Sequence, residues 1–112
     1  MTSEDGSLEE LDGSVLDLAD VVAYQPGSIV SRTLIDEGSA TLTAFALDEG
    51  QRISEHSAPH VALVQVLDGT AAITIDGDER VLEAGESIFM PPAVPHAVDA
   101  PARFKMLLTM VR

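Results

Sequence analysis

The chain has 112 residues, in which 19 acidic residues oppose six basic ones, for a net charge of −13 at pH 7. This length supports one domain with a single core. The negative charge disfavours a nucleic-acid partner, because phosphate backbones are themselves negative. Cysteine is absent, which excludes disulfides, thiolate metal ligands and cysteine nucleophiles. Apolar runs are too short for a membrane span, and the acidic start is unlike a signal peptide, so the expected location is the cytoplasm.

The acidity itself favours a halophilic protein from a salt-adapted cytoplasm. Seven of the 19 acids fall within residues 1–20, so an ordinary acidic protein with an acidic tail is the alternative. The other 12 acids still outnumber all six bases twofold. A surface of this kind repels itself at low salt, a property that halophiles exploit.

The N-terminal part of the chain divides into a tail and a short helical segment. Residues 1–14 are polar and acidic and are predicted to be a disordered tail, which leaves residues 15–112 as the single folded domain. Within residues 15–22 the apolar positions are consistent with one or two helical turns. The sequence Tyr24-Gln25-Pro26-Gly27 then predicts a turn.

Everything after this turn is predicted to be β-structure. The Asp76-Gly77 pair is the strongest hairpin signal in the chain. About eight short strands separated by turns are typical of a closed barrel or a sandwich, so the predicted class is all-β. The predicted strands are 29–34, 40–47, 61–67, 71–75, 80–82, 87–90, 96–98 and 104–110.

Alternation in the last predicted strand separates an inner face from an outer one. Lys105 marks its own face as the outer one, which places the row Phe104, Met106, Leu108 and Met110 in the interior. The outer face still carries Leu107 and Val111 and is apolar for a surface open to solvent. Contact with a partner explains such a face, and the simplest partner is a second copy in a homodimer.

Chemistry is concentrated in two short segments, residues 55–60 and 91–96, which hold all three histidines of the chain: His56, His60 and His96. Histidine is the side chain whose ordinary pKa lies closest to neutral pH, and it is the commonest metal ligand. Only a folded sheet can bring histidines so distant in sequence into one pocket.

These segments resemble the two conserved motifs of the small cupins. Gly50 is followed six residues later by His56, the next strand ends at Gly69, and Gly85 is followed at the family's spacing by Pro91, Ala93 and His96. The resemblance covers residues 28–111. It implies a jelly-roll β-barrel that is often a homodimer and binds a small molecule. It also implies a divalent metal ion held by two histidines and a glutamate of the first motif and a histidine of the second.

The resemblance carries over to only part of the ligand set. His56 and His96 match the first histidines of the two motifs, whereas the family's second histidine falls on Ala58 and its glutamate on Ala62. His60 is the candidate replacement, because Pro59 favours a bend that would bring it closer. A site of His56, His60 and His96 would suit Zn, Ni, Fe, Mn or Cu. The expected pocket-lining residues are Val64, Met90, Phe104 and Met106.

Neither a nucleophile elbow nor a phosphate-binding loop is present in the sequence. The predicted function is therefore binding of a small molecule in the barrel, with a divalent metal held by the histidines. If the protein is an enzyme, a metal-dependent oxygenase or isomerase is the expected type. The alternatives are a metal-free ligand-binding module and a regulatory or structural dimer with a vestigial site.

Overall fold

The structure is a computed structural model that describes residues 2–5 by their backbone and residues 13–112 with their side chains. Within these residues one 3₁₀ turn (Leu18–Asp20) and nine strands are present. Of the predicted disordered tail, residues 1–14, the structure describes only Thr2–Asp5, which form a strand, and residues 13–14, and disorder in the rest of the tail stays a prediction. The strands are β1 (Thr2–Asp5), β2 (Ile29–Asp36), β3 (Ala40–Leu47), β4 (Arg52–His56), β5 (Val61–Ile75), β6 (Asp78–Glu83), β7 (Ser87–Met90), β8 (His96–Asp99) and β9 (Phe104–Val111).

Strand β5 joins two layers of one curled sheet. Its first half pairs antiparallel with β9 and β7, and its second half pairs antiparallel with β6 and β8. The first layer has the order β1-β2-β3-β9-β5-β7, and the second has the order β6-β5-β8-β4. The two layers face each other as a half-barrel, and the predicted all-β jelly-roll class with one short helical turn is confirmed. No helix in the described parts of the chain is long and apolar enough to cross a membrane.

The prediction of two strands at 61–67 and 71–75 is wrong, because a single strand covers both. Asp68-Gly69 produces an irregularity in the pairing with β9, between Val66 and Asp68, and the strand continues through it. Gly69 has φ +75°, and a Cβ atom there would overlap the carbonyl oxygen of Arg103. The Asp68-Gly69 pair, which the sequence suggests is a turn, therefore marks a bend within one long strand.

Strand β4, by contrast, is absent from the sequence prediction. Its exposed polar residues hide the alternation by which strands are recognised. The hairpin at Asp76-Gly77 is confirmed, because these residues have φ 49° and 83° and connect β5 to β6. Such positive φ values at both central residues are what a two-residue hairpin requires.

The main core lies between the two layers of the sheet. Phe104 and Met106, from the interior row predicted for β9, are 0% and 2% exposed. Their partners come from β3, β5, β6, β7 and β8, so the core depends on both halves of β5. The buried members are Leu47, Ala62, Val64, Val66, Ala71, Ile73, Leu82, Met90, Val98, Ala100, Phe104 and Met106.

A second core lies on the outer face of the first layer, beneath residues 18–24, which we call the strap. Val21 and Val22 of the strap pack against β2, β3 and Leu107 of β9. Leu107 is therefore only 4% exposed within one chain. The expectation that Leu107 needs a partner molecule is wrong, because the chain covers this residue itself. Val111, the other apolar residue of that face, is 52% exposed, and the homodimer stays a prediction.

Hydrogen bonds from the sheet hold the strap in place. Lys105 Nζ donates to the carbonyl oxygen of Ala19 at 2.6 Å, and Arg32 donates to that of Val21 at 3.1 Å. The Tyr24 hydroxyl donates to an Asp68 carboxylate oxygen at 2.6 Å. The guanidinium of Arg103 lies 4.8 Å from the centre of the Tyr24 ring, which adds a cation–π contact. Burial raises the pKa of Tyr24, and the bond to Asp68 raises it further.

Candidate functional site

A cavity of about 220 Å³ opens between the two layers of the sheet. Among the described residues that line it, the three histidines are the only polar side chains. Lysine, arginine and acidic side chains are absent from this described lining, so the cavity is apolar with one small polar region. It is lined by Phe45, Ile53, His56, Ala58, His60, Ala62, Val64, Met90, His96, Val98, Met106, Leu108 and Met110.

Two of the histidines meet at the cavity. His56 ends β4 and His96 begins β8, and these residues are paired across the two strands. Their Nε2 atoms are 3.1 Å apart, and the rings are nearly perpendicular, with an interplanar angle of 73°. His96 is 5% exposed, whereas His56 is exposed at the mouth. The sheet thus brings together residues that are 40 positions apart in the chain.

The backbone determines which ring nitrogen carries the proton. Nδ1 of His56 donates to the carbonyl oxygen of Ser54 at 2.9 Å, and Nδ1 of His96 donates to that of Val94 at 3.1 Å. A carbonyl oxygen can only accept, so each neutral ring carries its proton on Nδ1. Both Nε2 atoms then carry lone pairs that converge on each other. A proton, a metal ion or a hydrogen-bond donor placed between the two Nε2 atoms would remove the repulsion between their lone pairs.

Electrostatics favour the neutral form of His96. Burial lowers the pKa of His96 below its ordinary value, and the neighbouring His56 lowers it further. The hydrogen bond to Val94 acts in the opposite direction but is the smallest of the three effects. At neutral pH the buried ring of His96 is therefore an acceptor at Nε2.

His60 lines the same cavity but does not join the pair. It lies in the loop after β4 and is half-buried. Within the described residues no group of three or more His, Cys, Asp or Glu side chains is placed to hold a metal ion. Ala58 and Ala62, which occupy the family's other two ligand positions, line the cavity without a donor atom.

The two histidine loops are tied to each other at the mouth. The backbone N–H of Ala93 donates to the carbonyl oxygen of Ala58 at 2.7 Å. Ala93 has φ +62°, a left-handed conformation that alanine adopts only at a cost. The loop after β7 is therefore held against the loop after β4 despite local strain.

The structure places three of the four expected lining residues at the cavity: Val64, Met90 and Met106. Phe104 differs, because it is fully buried in the core and does not contact the cavity. Sequence reasoning missed Ile53, which faces the cavity from β4. The unrecognised strand β4 explains that omission. Phe45 and Val98 were also missed, although both lie at alternating positions of strands that were predicted.

This fold and this cavity define a cupin-type barrel. The cupin domain model matches residues 43–111, and the chain therefore belongs to the cupin family. The match includes every described residue that lines the cavity, His56 and His96 among them.

The chain is also similar to solved structures and to part of a characterised enzyme. A conserved protein of unknown function from Streptococcus pyogenes is 41% identical, with a TM-score of 0.86 over 89% of this chain and 88% of that one. A cupin 2 conserved barrel domain protein from Leptotrichia buccalis is 40% identical, with a TM-score of 0.84 over 87% of this chain and 47% of that one. A mannose-1-phosphate guanylyltransferase from Salmonella montevideo is 37% identical over 67 residues. That match covers 56% of this chain but only 14% of the enzyme.

Proposed function

We propose that this protein binds a small, largely apolar molecule in its barrel cavity, with the His56–His96 pair as the polar contact. The observation that carries the proposal is the lining of the cavity, in which histidines are the only polar side chains described. An apolar pocket with a few convergent polar groups is the usual form of a small-molecule site.

The size of the cavity limits the ligand. Its volume of about 220 Å³ exceeds the roughly 150 Å³ of an apolar cavity that accepts benzene. A molecule about the size of one six-membered ring with one substituent would fill it. A sugar phosphate such as mannose 1-phosphate is a poor fit, because the described lining offers no lysine or arginine to a phosphate.

Binding of ring compounds of this size tests the proposal. Titration of the purified protein with toluene or phenol should shift the NMR signals of residues that line the cavity. The variant Ala62→Leu fills the cavity from β5 and should abolish these shifts. Gln65→Leu is the matched control, because Gln65 lies on the same strand but outside the cavity lining, and it should bind as the parent does. Shifts that are absent in the parent, or that persist in Ala62→Leu, would contradict the proposal.

A divalent metal held by His56, His96 and His60 is the second candidate. The 3.1 Å between the Nε2 atoms lets both reach one ion at the ~2.0–2.1 Å typical of zinc–histidine bonds. The hydrogen bonds of both Nδ1 atoms to carbonyl oxygens are the support that metal-binding histidines usually have. The described residues thus fit an ion with two donors, and His60 must move to supply a third. A bound ion would act as a Lewis acid toward a ligand in the cavity.

Metal analysis decides between the two candidates. If the second is right, the EDTA-treated protein takes up one equivalent of zinc, and His56→Ala or His96→Ala abolishes uptake. His60→Ala should weaken uptake if that side chain supplies the third donor. Failure of the parent protein to bind zinc at millimolar concentration would exclude this candidate while leaving metal-free binding intact.

A further inference from the structure

The orientation of the His56 and His96 rings indicates which polar group a ligand must carry. Both Nδ1 atoms donate to carbonyl oxygens, so with one proton on each ring both Nε2 atoms are acceptors, and they lie at hydrogen-bond distance from each other, 3.1 Å, with no proton between them. Among the described lining residues no lysine, arginine, hydroxyl or amide side chain is available to supply that donor. His60, the third polar side chain of the lining, does not join the pair, so in this arrangement the described side chains place no proton between the two Nε2 atoms.

We infer that the ligand carries a hydrogen-bond donor, a hydroxyl or amino group, on a compact apolar body. This inference rests on the proposed small-molecule function and names the chemical class that the site selects. The donor would lie at the pair, where both Nε2 atoms can accept from it. The apolar body would occupy the region lined by Val64, Met90 and Met106.

A carboxylate is the wrong partner for this site. Its oxygens would face the Nε2 lone pairs of both rings, and the described lining contains no lysine or arginine to neutralise it. Burial of an unpaired charge is costly in apolar surroundings. An ether or ketone would meet the same lone pairs without offering a hydrogen. Only a donor converts the acceptors into hydrogen bonds.

The location of the pair agrees with this class of ligand. His96 is buried, whereas His56 is exposed at the mouth between the two histidine loops. A donor at this position stays near the entrance, while the apolar part enters the barrel. A buried acceptor without a partner costs free energy, so a site built to accept a hydrogen bond discriminates against analogues that lack the donor.

Four compounds of similar size test the inference: phenol, anisole, benzoate and toluene. Phenol has the donor, anisole replaces its hydrogen with a methyl group, benzoate carries a negative charge, and toluene has no polar group. With EDTA-treated protein at pH 8, we expect phenol to bind about tenfold tighter than anisole or toluene. Benzoate should bind more weakly than phenol. The measurement is NMR titration of the cavity residues, which yields a Kd for each compound.

Substitutions of His56 and His96 test whether these two side chains cause the preference for phenol. His56→Leu removes the exposed acceptor at the mouth and should reduce the advantage of phenol over toluene while toluene still binds. His96→Leu should do the same if the variant folds, which its circular dichroism spectrum will show. Glu55→Gln is the control, because Glu55 is exposed and lies outside the cavity lining. It should leave all four affinities unchanged.

Failure of the inference is distinguishable from failure of the proposed function. Equal binding of phenol, anisole and toluene would overturn the donor preference but retain a ligand-binding cavity. Tighter binding of benzoate would also overturn it, because the pair would then act as an anion site. If none of the four compounds binds, the small-molecule function itself fails, and the inference fails with it.

Discussion

Gly69 provides the sharpest test of how the barrel is built. It lies where β5 bends from one layer of the sheet into the other, and its φ of +75° is left-handed. In Gly69→Ala the new Cβ would overlap the carbonyl oxygen of Arg103 and lie 2.9 Å from the Cα of Phe104. These are backbone atoms, so a side-chain rotation cannot relieve the clash.

The expected loss has two parts that a second glycine separates. Placing alanine in a left-handed conformation costs about 1–2 kcal/mol, and forcing the β5 and β9 backbones apart adds about 1–3 kcal/mol. Gly50 has φ +84° but nothing within 4 Å of its would-be Cβ, so Gly50→Ala should lose only the first part. The total for Gly69→Ala is therefore about 2–5 kcal/mol in the free energy of unfolding.

Urea denaturation followed by far-UV circular dichroism measures both variants against the parent. The informative quantity is the difference between the two losses, since conformational strain is common to both. Equal destabilisation of Gly69→Ala and Gly50→Ala would refute the argument that β5 and β9 approach too closely for a side chain. In that case the requirement for glycine at position 69 would come from its left-handed backbone conformation alone.

Three further predictions concern strain, protonation and salt. Ala93→Gly should raise the free energy of unfolding by about 0.5–1 kcal/mol, because it removes the strain of an alanine with a φ of +62°. The control is Ala84→Gly, at a turn without positive φ, which should not stabilise the protein. A gain in stability from Ala84→Gly would contradict this explanation. In EDTA-treated protein the NMR titration midpoint of His96 should lie below 6.5, and His56→Ala should raise it, since burial and His56 both lower this pKa. The free energy of unfolding should accordingly fall as the pH drops below about 6.5, because His96 then binds a proton in the unfolded chain but not in the folded one. The contribution of His96 to this fall should end once the pH is below its folded pKa. A titration midpoint of His96 above 6.5 would contradict this prediction. Added KCl should raise the free energy of unfolding by screening the net charge of −13, so maximal stability at low salt would reject the halophilic interpretation.

Much of the fold can be predicted from local patterns in the sequence. Strands β3 and β7 have the predicted bounds, because their apolar residues and flanking turns are unambiguous. Strand β4 cannot be found this way, since four of its five residues are exposed and its partner β8 is distant in sequence. That β5 is one continuous strand cannot be predicted from local patterns either. Whether Asp68-Gly69 turns the chain or bends it depends on how β9 pairs beside it.

The candidate site is predictable in its members but less so in its chemistry. The motif spacing indicates that His56 and His96 share a pocket, and the structure brings their rings together. Their tautomers follow from the carbonyl groups of Ser54 and Val94, which each lie only two residues away. That information is local in sequence, yet it requires the backbone conformation of both loops. The position of His60 also depends on a loop whose bend a proline signals but does not specify.

The strap has a consequence for where this folding unit begins. The cupin domain match starts at residue 43, whereas the second core depends on Val21, Val22 and Val30. Three of the six basic residues contact the strap: Arg32, Arg103 and Lys105. A shortened chain cut at the family boundary would lose β2 with Arg32, leave Leu107 open to water and remove the strap residues that Arg103 and Lys105 contact. The packed core therefore extends to the N-terminal side of the matched domain, and recombinant versions of this protein should begin before residue 18.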